Sequence, residues 1–260
     1  PATIANGFQW MRATTPAVVP KHPDGRYGSG QLLAGEGGAN NPLMSVENAR
    51  GETKNTQLQA KIYTVVSPFK GLSVTSSYFV DYNQQEKWRG AVYTNQWNFQ
   101  TNKIGIDNTS GSRLTLTNES RRNERNIFDL YADYNTTINN HNFKILAGYN
   151  SEYYELYYFS GAISNLLTYD TNVLDAGSTD PQVGGNGTDY SMRSFFGRLS
   201  YNFKDRYMFE SNLRYDGSSR FSPDNRWGLF PSFSAGWIIS EENFWKSTLP
   251  AFNFVKLRAS

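Results

Sequence analysis

An all-β fold, an antiparallel transmembrane β-barrel, is predicted by three observations. Apolar residues return at every second position, short and long connections alternate, and aromatic rings gather at the ends of the apolar runs. Composition agrees. The 260 residues include 17 Tyr, 17 Phe and 6 Trp, yet the mean hydropathy is −0.61. Rings diluted by Gly, Asn, Ser and Thr suit strands with one apolar face better than packed helices.

Residues 1–52 are rich in Pro, Gly and Asn (Pro16, Pro20, Pro23, Gly25, Gly35, Gly37, Gly38 and Pro42 among them) and show no sustained period. They read as one long ordered loop region, extracellular once the barrel is oriented. From residue 53 to 260 the pattern is that of a partial transmembrane barrel. Leu58, Ala60, Ile62, Thr64 and Val66 share a face opposite Gln57, Gln59 and Lys61; Leu72, Val74, Tyr78, Val80 and Tyr82 share one opposite Ser73, Thr75, Ser77 and Asp81. Phe128, Leu130, Ala132 and Tyr134 oppose Asp129 and Asp133, and Phe143, Ile145, Ala147, Tyr149 and Tyr153 oppose Lys144, Asn150 and Glu152. Phe195, Gly197, Leu199, Tyr201 and Phe203 oppose Arg198, Ser200 and Asn202; Tyr207, Phe209, Leu213 and Tyr215 oppose Glu210, Asn212, Arg214 and Asp216. Segments 227–240 and 253–260 complete about eight strands in a noisier form.

Alternation alone also fits a soluble sandwich. Connection lengths separate the cases: short at 67–70, 139–142 and 204–206, long at 85–112 and 155–190, medium at 217–226. Short turns on one rim and long loops on the other are the arrangement of outer-membrane barrels. Rings at both ends of the apolar runs, with small or aliphatic residues between them, match two interfacial girdles. So dense a charged face is too costly to desolvate in a packed interior, which predicts a wet or plugged lumen.

The balance of 25 Lys and Arg against 23 Asp and Glu gives +2, no field to attract nucleic acid. The absence of cysteine excludes disulfides and thiolate metal sites. No apolar run reaches the roughly 20 residues of a membrane helix, the best being Phe233 to Ile239. His22 and His141, the only histidines, fall in a loop and a turn and read as solvated. No nucleophile elbow, phosphate loop or spaced metal cluster occurs, so no enzyme activity, metal or cofactor is expected. Glu241 and Glu242 open a short periplasmic turn and read as charge at a helix start, not as a catalytic dyad. Asp170, Asp175, Asp180 and Asp189 lack the spacing of a calcium loop. The candidate ligand-binding residues are rings of the long connections: Trp88, Tyr93, Trp97, Tyr157, Tyr158 and Tyr169, with Phe159 beside them. Flat rings near amides and carboxylates suit a sugar or peptide.

Three blocks in fixed order carry a resemblance: Asp216-Gly217-Ser218-Ser219-Arg220-Phe221; the run Asn225 to Trp237, with Arg226, Trp227, Gly228, Phe230, Pro231, Gly236 and Trp237; then Ser240-Glu241-Glu242-Asn243-Phe244, followed by Lys256 to Ser260. Together they resemble the signature of SusC/RagA-type TonB-dependent transporters, and Pro23-Asp24-Gly25-Arg26-Tyr27 is similar to the family too. Ser222 stands where Gly is common, and Ile238 where a basic residue is usual. The resemblance implies a barrel of roughly 22 strands with a plugged lumen. It also implies TonB-dependent import of glycans, oligosaccharides or peptides across the bacterial outer membrane, under a SusD-like lipoprotein lid and in contact with outer-membrane lipid. The plug and the TonB-contacting segment are expected outside this stretch, which is then a fragment with two open sheet edges. Alternatives are a small self-contained barrel acting as anchor or adhesin, which the charged face would overfill, and a soluble carbohydrate-binding β-protein.

Overall fold

The computed structural model describes residues 19–29, 41–91, 94–106, 114–168, 171–248 and 251–260. In chain order, β1 (Tyr27–Gly28) and the short helix α1 (Pro42–Glu47) precede the long strands β2 (Ala49–Phe69) and β3 (Leu72–Ala91). Two small strands follow, β4 (Gln96–Asn98) and β5 (Lys103–Ile106), before β6 (Thr115–Ile138), β7 (His141–Ser164) and β8 (Thr179–Phe203). β9 (Tyr207–Ser218), β10 (Trp227–Ile238), helix α2 (Asn243–Thr248) and β11 (Lys256–Ala259) complete the chain. The sheet order is β11-β10-β9-β8-β7-β6-β3-β2, an antiparallel meander, and β1-β4-β5 form a separate small sheet.

Expectation and structure agree at the three short turns, which lie between Phe69 and Leu72, Ile138 and His141, and Phe203 and Tyr207. Left-handed backbone at Gly71 (φ 92°) and Asn139 (φ 55°) reverses the chain there, as glycine and asparagine allow. The long connections depart from expectation. β3 runs on to Ala91, β6 begins at Thr115, β7 ends at Ser164 and β8 begins at Thr179, so much of 85–112 and 155–190 is strand, not loop. Gln84, Gln85, Glu86 and Lys87 continue β3 with no apolar member. A strand with water on both faces loses the period-two apolar signal while keeping its ladder of hydrogen bonds.

The chain forms two compact units. One comprises Pro1–Thr56, Gln84–Arg121 and Tyr157–Asn186, the other Gln57–Asn83, Arg122–Leu156 and Gly187–Ser260. In the first, Asn41 is fully buried and organises its surroundings: its Oδ1 accepts from the amides of Leu43 and Met44, capping α1, while its Nδ2 donates to the carbonyls of Pro20 and Gly28. The buried apolar side chains among the described residues, Tyr27, Met44, Leu116 and Leu166, all belong to this unit.

The second unit has no such core. Phe195 on β8 and Leu213 and Tyr215 on β9 lie on strands with neighbours on both sides, yet are 51, 47 and 43% exposed. Among the described residues of this unit no second layer covers the apolar rows, which is not how a soluble sandwich disposes of them.

Candidate functional site

The register of β8 to β11 assigns the side chains to two walls. Phe195 pairs with Tyr215, Gly197 with Leu213, Leu199 with Ser211, Tyr201 with Phe209 and Phe203 with Tyr207. On the other edge of β9, Tyr215 pairs with Leu229, Leu213 with Pro231, Ser211 with Phe233, Phe209 with Ala235 and Tyr207 with Trp237. Directly paired residues share a face, so these form one apolar wall.

Rings border that wall in two rows. At one end Phe128, Tyr149, Phe195, Trp227 and Tyr215 follow one another with centroids 4.8–6.4 Å apart. At the turn end His141, Phe143, Tyr201, Phe203, Tyr207, Trp237 and Phe244 make a second row. The apolar stretch of a strand such as β9 is about nine residues, which at about 3.3 Å per residue and about 45° tilt covers about 21 Å, close to the apolar band of an outer-membrane barrel. His141 was expected in solvent. Instead its ring lies 4.5 Å from that of Phe203, and its Nδ1 is 2.8 Å from the Tyr201 hydroxyl. As the first residue of β7 it joins the girdle, because strand pairing brings β8 alongside.

The opposite wall is a chain of polar contacts. Ser77 Oγ and Asn150 Nδ2 both donate to Asp129, at 3.2 and 2.7 Å. Arg125 Nε lies 3.4 Å from Glu152 Oε1, which also accepts 2.9 Å from the Tyr190 hydroxyl. Arg214 holds Asp216 at 3.0 Å and donates to Ser194 Oγ; Ser200 and Asn212 donate to Glu210, and Arg198 donates to Asn212. A concavity of about 950 Å³ opens among Lys70, Asn135, Asn142, Lys144, Asn202 and Glu210. Neighbouring strands thus satisfy one another's polar groups on a wetted face.

One carboxylate fastens the turn after β10. Glu242 Oε1 accepts from the Tyr207 hydroxyl at 2.6 Å and from Trp237 Nε1 at 3.1 Å, and Arg206 reaches Oε2 at 3.4 Å. Glu241 instead pairs with Lys246 at 2.6 Å. Hydrogen bonds from Tyr207 and Trp237, with the Arg206 charge nearby, hold the Glu242 carboxyl below its ordinary 4.5. A depressed carboxylate stabilises the fold above its unfolded pKa and loses that contribution as pH falls through the folded one. Protection of the amides of 206–208 and 237–243 against hydrogen exchange should therefore fall below pH 4.5. Glu242→Gln should lower it already at pH 7 and flatten the pH dependence; equal protection in both proteins at every pH would refute the clamp.

The candidate rings among the described residues do not converge. Tyr93 and Tyr169 lie outside the described residues, as does Asp170 of the acidic set. Trp97 sits in β4 under the Arg26 guanidinium, whose carbon is 4.5 Å from the ring centre, with His22 stacked on the adjacent Phe99 at 4.9 Å. Tyr157 and Tyr158 are consecutive in β7 and so point to opposite faces. Trp88 lies in β3 and lines a cleft of about 400 Å³ with Phe159, Lys54, Glu86, Asn118 and Asn172. Asn118 Nδ2 donates to the Asn172 carbonyl, while its buried Oδ1 has no hydrogen-bond partner among the described residues. Among the described residues no three imidazole or acidic groups gather as metal ligands.

No family model matches the chain. It is 30% identical over 231 residues to TonB-dependent receptor P39 of Formosa agariphila, covering 85% of this chain and 20% of that protein. Over 59 residues it is 58% identical to TonB-dependent receptor SusC of Bacteroides thetaiotaomicron, 23% of this chain and 6% of that one. The structure of the RagAB peptide transporter superposes with a TM-score of 0.69 at 20% identity, covering 78% of this chain and 22% of that chain. The chain is a stretch of a SusC/RagA-type TonB-dependent transporter. It spans about a fifth of the length of the receptor P39 and of the RagAB chain.

In this SusC/RagA-type stretch the signature residues fall at the β9–β10 connection and along β10. Gly217 opens the connection expected at 217–226. It is instead paired with Trp227 inside the strand, and a Cβ there would lie 2.7 Å from the indole, so the glycine makes room for the girdle ring. The turn itself is closed by Ser218 N–H donating to the Arg226 carbonyl, while Arg226 Nε reaches the Phe221 carbonyl. Phe230 pairs with Arg214 on the polar wall, and its ring fills the space left by Gly228. Ile238 pairs with Lys256 on the polar wall, and Gly236 with Arg258. Sequence reading missed Glu242, His141 and the Arg125–Glu152–Tyr190 set, whose partners come from other strands.

Proposed function

We propose that this stretch forms part of the wall of an outer-membrane importer that takes up glycans, oligosaccharides or peptides, driven by TonB and covered by a SusD-like lipoprotein. The two-walled sheet carries this reading: an apolar wall between two rows of rings suits lipid, and the charged wall behind it suits a wet or plugged lumen. The names of the relatives and of the RagAB peptide transporter support it. Residues 1–52 then belong to the extracellular side and 53–260 to the barrel, and the protein moves its ligand without chemical change. Trp88 and Phe159, with the unpartnered Asn118 Oδ1, make the cleft the best placed of the ring candidates to hold a sugar.

Uptake by cells carrying the full-length transporter and its neighbouring lipoprotein gene tests this. Fluorescent maltoheptaose, xyloheptaose and a mixed decapeptide pool are offered, with and without a protonophore. Accumulation of one class, lost when the proton gradient collapses and lost on deleting the transporter, is expected; accumulation of any probe that persists without the gradient would overturn active import.

A further inference from the structure

Beside the polar wall, the β9–β10 connection positions a cation that no acidic group among the described residues neutralises. Arg220 follows the turn residue Ser219, whose N–H donates to the Ser191 carbonyl at 2.9 Å and whose Oγ accepts from Ser191 N–H at 2.9 Å. Arg220 N–H itself donates to Ser218 Oγ. The backbone is thereby held beside β8, and the guanidinium carbon lies 4.2 Å from the centre of the Tyr190 ring. That ring is also fixed, by stacking on Tyr154 with centroids 5.1 Å apart and by donating its hydroxyl to Glu152. Glu152 is already engaged by Arg125, which also lies over Tyr154 at 5.8 Å. The cluster holds two guanidiniums and one carboxylate, and among the described residues no acidic group lies within ion-pair distance of Arg220.

A guanidinium stacked on a ring is constrained across its face and keeps its in-plane N–H edges available, a geometry that matches the two oxygens of a carboxylate. The uncompensated charge is a single one, which suits a carboxylate better than a doubly charged phosphate. Tyr190 on β8, and an arginine whose turn is hydrogen-bonded to that strand, lose little freedom when a ligand arrives. We propose that Arg220, framed by Tyr190, Tyr154, Glu152 and Arg125, is a carboxylate-binding site at the edge of the polar wall, where the β9–β10 connection meets β8, so that the transporter selects ligands bearing an acidic group, a uronic acid in an oligosaccharide or the acidic end of a peptide. This rests on the import reading and adds to it the charge of the ligand.

The test is equilibrium binding to the full-length transporter in detergent with its lipoprotein partner, by calorimetry. Trigalacturonate is compared with its methyl ester, and a trialanine acid with its amide. One acid probe is expected to bind about tenfold or more tightly than its neutral form, and which pair shows this distinguishes sugar from peptide. Arg220→Gln should abolish the preference, and Arg220→Lys, which keeps the charge but not the fork, should retain only part of it. Tyr190→Leu, which removes the stacking surface, should weaken the preference severalfold. Binding of neither acid probe, equal binding of acid and neutral forms, or a preference that survives Arg220→Gln would overturn the site. If Arg220→Gln does not assemble, the partial loss in Arg220→Lys decides. Protonophore-sensitive uptake of a probe without any charge preference would defeat this inference alone; loss of that uptake would defeat the import reading.

Discussion

Leu213→Arg is expected to stop the full-length transporter from assembling in the outer membrane, whereas Asn212→Arg, one residue away, is expected to leave assembly intact. Leu213 lies in the middle of the apolar wall, opposite Gly197 on one side and Pro231 on the other, and is 47% exposed. If hydrocarbon covers that wall, an arginine near mid-depth costs about 2–4 kcal/mol. Asn212 faces the polar wall, where Glu210 accepts from its amide and Arg198 donates to it, and a charge there stays wet. Heat-modifiable migration of outer-membrane extracts reports the folded fraction. Equal folding of the two variants would mean that the wall does not face lipid, and the period-two reading would fail with it.

Gly71→Val should lower the stability of the transporter by about 2–5 kcal/mol, the sum of about 1–2 for a left-handed backbone and about 1–3 for overpacking. Gly71 occupies the β2–β3 turn at φ 92°, and a Cβ there would lie 2.4 Å from the backbone oxygen of Asn135. Asn135 N–H also donates to the Gly71 carbonyl at 2.8 Å, so the turn cannot move away without losing a bond. Gly25 provides the comparison. It has nearly the same φ, 89°, with no atom within 4 Å of its missing Cβ, so Gly25→Ala should cost only the backbone share, about 1–2 kcal/mol. Urea unfolding from lipid vesicles measures both, and a Gly71 variant no worse than the Gly25 variant would remove the steric argument.

The ring candidates show where reading by residue type stops. Trp88 and Trp97 both suggest stacking surfaces, but Trp97 is already covered by Arg26, whereas Trp88 lines a cleft. The Arg220 site had no signal of its own in the sequence. Tyr154 and Tyr190 looked like ordinary members of a strand and a loop, and what joins them is the pairing of β7 with β8 and a turn laced to Ser191. The signature blocks include Arg220, but they announce neither the ring beneath it nor that no acidic group among the described residues stands beside it.

The sequence by itself determined the strands that are apolar on one face and polar on the other. Phe195 to Phe203 and Tyr207 to Tyr215 alternate because neighbouring side chains of a strand lie on opposite faces, and this period is written in residue type. It also determined the short turns, through Gly71 and Asn139, whose backbones accept a positive φ. Only the tertiary structure decided how far β3, β6, β7 and β8 continue, which side chains meet across strands, and that His141 and Glu242 fasten one end of the sheet. Where both faces of a strand are wet, polar residues fit either face equally well. Register across the sheet, set by hydrogen bonds between distant segments, then decides what touches what.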